Sequence, residues 1–153
     1  MNWEISLCNR SDIPLDLLME AESSEDIVKS YPAPSLYFSA LKQESLVSVG
    51  VVNVDSNYKT EAELLNISTY PEYQGSGVGK ALMNAIIQYL RKEGMELLKL
   101  GTGAFGYQLS FYQKLGFRVV EVEKDYFLRH YPEPLFENGI QHKDRLILEL
   151  KLS

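Results

Sequence analysis

Between Gln74 and Lys80 the chain reads Gln-Gly-Ser-Gly-Val-Gly-Lys, placing glycines at 75, 77 and 79 directly ahead of an amphipathic stretch. A helix N-terminus presents unpaired N–H groups and a partial positive charge, so it can hold an anion. Glycines on alternate positions clear one side of the loop of Cβ atoms and let a phosphate reach those amides. A tight strand-to-helix turn alone would need one or two of them. The mononucleotide P-loop pattern fails here, because position 74 is Gln where it needs Gly and position 81 is Ala where it needs Ser or Thr. The dinucleotide pattern fails too, since Lys80 stands where its third glycine belongs. Elsewhere, chemistry-bearing residues are sparse. Cys8, the one cysteine, lies in an alternating apolar segment and reads as a small buried hydrophobe. His130 and His142 have no spacing that makes a metal set with Cys8, so no metal is expected.

The elements that must carry the loop are legible from periodicity. Residues 2–8 alternate and predict a first strand, and residues 12–31 predict one or two short helices, the second starting near Ser23 or Ser24. Residues 35–42 and 45–55 predict strands joined by a tight polar turn, followed by a loop over 55–60. Residues 61–69 predict a further strand, with Glu63, Leu65, Ile67 and Thr69 on one face and Ala62, Leu64, Asn66 and Ser68 on the other. Leu82, Met83, Ile86, Ile87 and Leu90 form an apolar stripe at the helical period, and Gly94 suits the helix's end. Residues 95–101 predict a short strand, 107–116 a second helix ended by Gly116, 117–129 a long strand, 130–141 a loop, and 144–152 a last strand. This order predicts an α/β protein of the α+β type, with a mixed, mostly antiparallel central sheet of about seven strands flanked by helices.

At 153 residues the chain suits one domain, 1–153, with 45% hydrophobic and 24% charged residues, the balance of a soluble globular protein. No apolar run approaches ~20 residues, and the start lacks a signal-peptide pattern, so neither a membrane span nor export is expected. A cytoplasmic, reducing compartment fits the single cysteine. The net charge of −6 argues against nucleic-acid binding and is compatible with a cationic partner such as an amine.

Gln74-Gly75-Ser76-Gly77-Val78-Gly79 resembles the Arg/Gln-x-x-Gly-x-Gly/Ala signature of the GNAT superfamily of acetyl-CoA-dependent N-acetyltransferases. The flank Ser-Thr-Tyr-Pro-Glu-Tyr-Gln, 68–74, is similar to the strand end and Pro-x-Tyr turn that lead into that family's loop. Downstream, Ser-Phe-Tyr-Gln-Lys-Leu-Gly-Phe-Arg-Val-Val, 110–120, resembles its second block, in which an aromatic-Tyr pair ends a helix ahead of Gly-Phe. The element order matches over nearly the whole chain. One departure bears on contacts to the pantetheine arm: Phe105 and Gln108 stand where the family often has Asn and Ala. The segment 131–141 looks like the tail of some small-molecule and peptide acetyltransferases in the superfamily.

The resemblance implies acetyl transfer from acetyl-CoA to a primary amine of a small molecule or peptide, by direct attack in a ternary complex. Amides from Gly75 to Lys80 would hold the diphosphate, with the Lys80 ammonium adding a local positive charge. Backbone at Ile67, Ser68 and Thr69 would place and polarise the thioester carbonyl. An alkylamine with a pKa near ~10 needs a base. Glu63, eleven residues before Gln74, has a spacing similar to the catalytic glutamate of histone-type members; Glu61 shares its face, and both are equally readable as solvent-facing strand residues. Tyr112 is implied as the proton donor to the departing thiolate. Glu137 reads as a polar loop residue that could line an acceptor pocket. Tyr70, Tyr73, Trp3, Tyr37 and Phe38 could line a groove or fill the core, with core the expectation for Trp3 and Phe38. A non-catalytic acyl-CoA-binding sensor on the same fold, and a phosphate loop for another nucleotide, are the alternatives. The terminal strand could pair across a homodimer.

Overall fold

The computed structural model describes residues 2–54 and 60–153, so Asp55 and nearly all of the expected 55–60 loop lie outside the described residues. The strands are β1 (Glu4–Cys8), β2 (Ser35–Lys42), β3 (Ser45–Val54), β4 (Glu61–Thr69), β5 (Leu97–Gly103), β6 (Arg118–Glu123), β7 (Phe136–Glu137), β8 (Ile140–Gln141) and β9 (Arg145–Lys151). The helices are α1 (Leu15–Leu18), α2 (Glu25–Lys29), α3 (Val78–Lys92), α4 (Tyr107–Lys114) and α5 (Tyr126–His130). Among the described residues the strands form a seven-stranded, mostly antiparallel sheet, ordered β1-β2-β3-β4-β5-β9-β6, plus the β7–β8 ribbon. This is the expected α+β class. The chain divides into two compact units, one reaching Glu96 and including Leu152–Ser153, the other Leu97–Lys151.

In the first unit β1 to β4 form an antiparallel meander. The β2–β3 turn places Gln43 and Glu44 at positive φ. Ser24 caps α2 by accepting from the Ile27 amide at 3.3 Å, as expected. One sheet face carries Val49 and Val51, packed with Leu17, Leu18, Val28 and Tyr31 of the α1–α2 region. The other face receives α3, which buries Val78, Leu82, Met83, Ile86, Ile87 and Leu90. At the centre of that face Gly50 admits the helix closely: a Cβ there would stand 2.6 Å from Ile86 Cδ1. Gly94 ends α3 at φ 80°, its N–H bonding Arg91 O at 3.1 Å while Met95 N–H reaches Leu90 O at 2.9 Å. This paired closure is the Schellman arrangement.

In the second unit β9 pairs with β5 on one side and β6 on the other. The terminal strand therefore has no free edge, and the expectation that it could pair across a dimer is overturned. The long strand expected over 117–129 is also corrected. It stops at Glu123, Asp125 turns left-handed at φ 61°, and α5 follows. Asp125 N–H bonds the Asp144 carboxylate at 2.8 Å, which holds that turn. The expected 130–141 loop contains the β7–β8 hairpin, whose Asn138-Gly139 turn has φ of 53° and 76°. Asn-Gly is the pair that tolerates two consecutive positive φ values.

Candidate functional site

The glycine segment leaves β4 through a short 3-10 turn, Pro71–Tyr73, and enters α3 at Gly77. Gly75 and Gly77 adopt φ of 77° and 93°, a left-handed backbone that disfavours side chains. A Cβ at either position would meet no protein atom within 4 Å, so the space above the loop is open. Ser76 N–H is used internally, bonding Tyr73 O at 3.2 Å, and Val78 N–H reaches Ser76 Oγ at 3.4 Å. Gly77 caps α3 without any side-chain acceptor, and the first turn holds no acidic residue. The first-turn amides of a helix have no intrahelical partner, and here Lys80 stands exposed among them. Gln74 binds back to the strand, its Nε2 donating to Thr69 O at 3.0 Å. Open space, an N-cap glycine with no capping side chain and the exposed Lys80 ammonium together fit a diphosphate.

Strand β4 carries a correction. Its burial alternates strictly, with Ala62, Leu64, Asn66 and Ser68 buried. Yet Val51 pairs with Asn66 and Val52 with Leu64, so Leu65 is the extra residue of a β-bulge. Directly paired residues share a face. Gly50, on the α3 face, pairs with Ile67; Asn53, on the face of Val49 and Val51, pairs with Glu63. Glu63 therefore points to the α1–α2 side together with Asn66 and Ser68, while Ile67 and Thr69 point to the α3 side. The expectation of a shared face for Glu63, Ile67 and Thr69 fails because the bulge swaps the parity. Glu61, two residues before Glu63, follows it by alternation.

In the second unit the sequence Phe-Tyr-Gln-Lys-Leu-Gly-Phe folds as a helix ending. Gly116, at φ 105°, bonds Gln113 O through its N–H at 3.0 Å, and Phe117 N–H bonds Tyr112 O at 3.2 Å. The Tyr112 ring packs edge-on against Phe117 at 5.8 Å and against Phe111 at 5.3 Å. Tyr112 is 6% exposed, and burial pushes its phenol well above the usual tyrosine value, with a smaller contribution from Tyr107. The hydroxyl is thereby kept protonated.

A cluster that the sequence reading did not foresee sits at the start of α4. His142 Nε2 lies 2.9 Å from Glu137 Oε1, and Tyr107 N–H donates to Glu137 Oε2 at 3.3 Å. Phe105 stacks on the His142 ring at 4.2 Å. Gly103 and Gly106 are required by close approach, since a Cβ on either would collide with the His142 imidazole or the Glu137 carboxylate. A carboxylate only accepts, so Nε2 carries the proton; Nδ1 is buried and, among the described residues, unpartnered. Glu137 is thus engaged at a helix N-terminus, and His142 is half-buried beside it. The Asn-Gly turn was the readable signal for this pair, because it folds Glu137 back beside the strand leading to His142.

The other candidates are placed plainly. Phe38 is core; Trp3 is only partly buried, edge-on to Tyr73 at 6.4 Å. Tyr37 is core, and Tyr70 donates to Asp16 Oδ1 at 3.2 Å. Cys8 packs against the α1–α2 cluster, and burial pushes its thiol up, away from nucleophilic character. His130 is exposed and stacks on Tyr126 at 4.1 Å. Among the described residues no group of three or more His, Cys, Asp or Glu side chains could hold a metal ion, and no helix is long and apolar enough to cross a membrane.

Comparison with known proteins gives the same picture. The profile of the Acetyltransferase (GNAT) family matches residues 6–117. An uncharacterized N-acetyltransferase, YvbK, of Bacillus subtilis (strain 168) is 39% identical over 138 residues, covering 90% of this chain and 88% of its own. The solved structure of an IAA acetyltransferase from Bacillus cereus superposes with a TM-score of 0.90 at 32% identity, covering 98% of this chain and 99% of that one. A GNAT family acetyltransferase from Elizabethkingia anophelis, with acetyl-CoA bound, superposes with a TM-score of 0.90 at 29% identity and 98% coverage of both. The glycine loop, the bulged strand before it and the Tyr112 helix ending thus lie in a chain that belongs to the GNAT family and is an acetyl-CoA-dependent acyltransferase.

Proposed function

We propose that this protein transfers the acetyl group of acetyl-CoA to a primary amine of a small molecule or peptide, by direct attack in a ternary complex. The observation that carries the reading is the open loop at Gly75–Lys80, with left-handed glycines, no capping side chain on Gly77 and no acidic residue in the first helical turn. Acetyl-CoA supplies an acyl group activated as a thioester. The amides of Gly75, Gly77, Gly79 and Lys80 grip the diphosphate, and the Lys80 ammonium offsets the chain's net charge of −6 locally. Backbone at Ile67, Ser68 and Thr69 polarises the acyl carbonyl. Glu63 takes the amine's proton, and because it projects to the α1–α2 side, the acceptor approaches from there. Tyr112 gives a proton to the departing thiolate; burial keeps its hydroxyl protonated until that thiolate forms beside it. Cys8 takes no part, which is consistent with attack without an acyl-enzyme. The family profile covers residues 6–117 and so enters both compact units, which supports reading 1–153 as one acetyltransferase domain; the single cysteine fits a cytoplasmic setting.

The test is thiol release from acetyl-CoA with spermidine, kanamycin and an alanine-initiated peptide as acceptors. Amine-dependent release, strongly reduced in Tyr112→Phe, is expected. Tight acetyl-CoA binding without turnover on a broad amine panel would favour a sensor role instead.

A further inference from the structure

The bulge at Leu65 breaks the β4 ladder two residues before the segment assigned to the thioester carbonyl, and a bulged residue's backbone needs another partner. Tyr31 supplies it. Its hydroxyl, on the segment between α2 and β2, donates to Leu65 O at 3.2 Å, the carbonyl of the bulged residue itself. The same hydroxyl accepts from Asn66 Nδ2 at 3.1 Å, and the second Nδ2 proton goes to Leu18 O at 2.9 Å. Asn66 Oδ1 accepts the Ser68 hydroxyl proton. Ser68 Oγ also lies 3.2 Å from Leu18 O, so its proton is shared between that carbonyl and Asn66 Oδ1, and the network ties the end of α1 and the segment after α2 to β4. Burial pushes the Tyr31 phenol up to about 12, so it stays a donor.

We infer that Tyr31 is a positioning residue for acetyl transfer: by holding Leu65 O it fixes the bulge, and with it the alignment of the Ile67–Thr69 backbone and the face to which Glu63 projects. This rests on the reading that β4 backbone polarises the thioester. Among the described residues the Tyr31 hydroxyl bonds Leu65 O and Asn66 Nδ2 and nothing in the glycine loop, so its loss misaligns the reacting groups while leaving the diphosphate grip intact.

The structure provides a matched control. Tyr37 is a second buried phenol in the same apolar cluster, and its hydroxyl has no partner among the described residues. Removing Tyr31 Oη strips a partner from the buried Asn66 amide and from the part-buried Leu65 carbonyl, whereas removing Tyr37 Oη strips none among the described residues.

The experiment compares Tyr31→Phe and Tyr37→Phe with wild type, using the fastest acceptor among spermidine, kanamycin and the alanine-initiated peptide. For kcat, acetyl-CoA is kept saturating, so that linkage favours folded chains, and its KM is taken from a separate acetyl-CoA titration. Tyr31→Phe is expected to lower kcat roughly 10- to 100-fold, the range for a small misplacement of reacting groups. Its KM for acetyl-CoA should stay within about twofold of wild type. Amide hydrogen exchange at Ile67–Thr69 should accelerate in Tyr31→Phe and not in Tyr37→Phe, a readout that needs no acceptor. The inference is overturned if kcat of Tyr31→Phe matches wild type, if both variants lose activity equally, or if Tyr31→Phe no longer binds acetyl-CoA, since Tyr31 would then serve the fold alone. A wild-type protein that binds acetyl-CoA but never releases thiol would instead sink the transfer reading itself.

Discussion

Two side chains carry the proton transfers in this account, and each has a different physical standing. Tyr112 is fixed twice over by the helix ending, through its carbonyl to Phe117 N–H and its ring against Phe117. Replacing it with Phe keeps that packing and removes only the hydroxyl. We expect Tyr112→Phe to retain acetyl-CoA affinity by isothermal titration while kcat falls by about 10²–10⁴, the usual worth of a general acid. Glu63→Gln should lower kcat/KM most at neutral pH and recover part of it as pH rises toward the amine's own pKa of ~10, because free base then forms without help. A flat ratio of variant to wild type across that range would remove Glu63 from the base role. At this scale the sequence was informative for Tyr112, whose string Phe-Tyr-Gln-Lys-Leu-Gly-Phe encodes its own geometry. It was silent on His142, whose partners arrive from a glycine at 103 and a carboxylate folded back by a turn.

The elements decide which groups can meet. Most were legible because their signals are local: the α3 stripe, the glycines that end both longer helices, and strands β2 and β4, which match their expected bounds. The bulge at Leu65 was not, since an inserted residue leaves the alternation of buried and exposed positions intact while exchanging the faces behind it. Helix α5 was read as strand because five residues are too few to display a 3.6-residue period. The glycine loop gives a test that separates binding from folding. Gly79 lies in the first turn of α3, where an acidic side chain favours the helix dipole. Gly79→Glu should therefore leave the melting temperature unchanged or higher, yet weaken acetyl-CoA binding at least about tenfold by repelling the diphosphate. Undiminished affinity would place the diphosphate elsewhere.

For the molecule as a whole, three buried phenols predispose the fold to alkaline loss. Tyr31, Tyr37 and Tyr112 all hold their protons more tightly folded than unfolded, chiefly through burial. Their contribution is complete below the unfolded tyrosine pKa of ~10 and declines as pH rises through the folded values, because the unfolded chain then releases protons that the native state retains. Denaturant midpoints should fall between pH 10 and 12, and less steeply in Tyr31→Phe than in wild type. The net charge of −6 adds a second whole-molecule effect: an anionic cofactor must be gathered by local groups against the general field. The most direct measurement is a crystal structure with coenzyme A bound. The account requires diphosphate oxygens at hydrogen-bond distance, about 2.7–3.2 Å, from amides between Gly75 and Lys80. A diphosphate seated on any other part of the protein would contradict it.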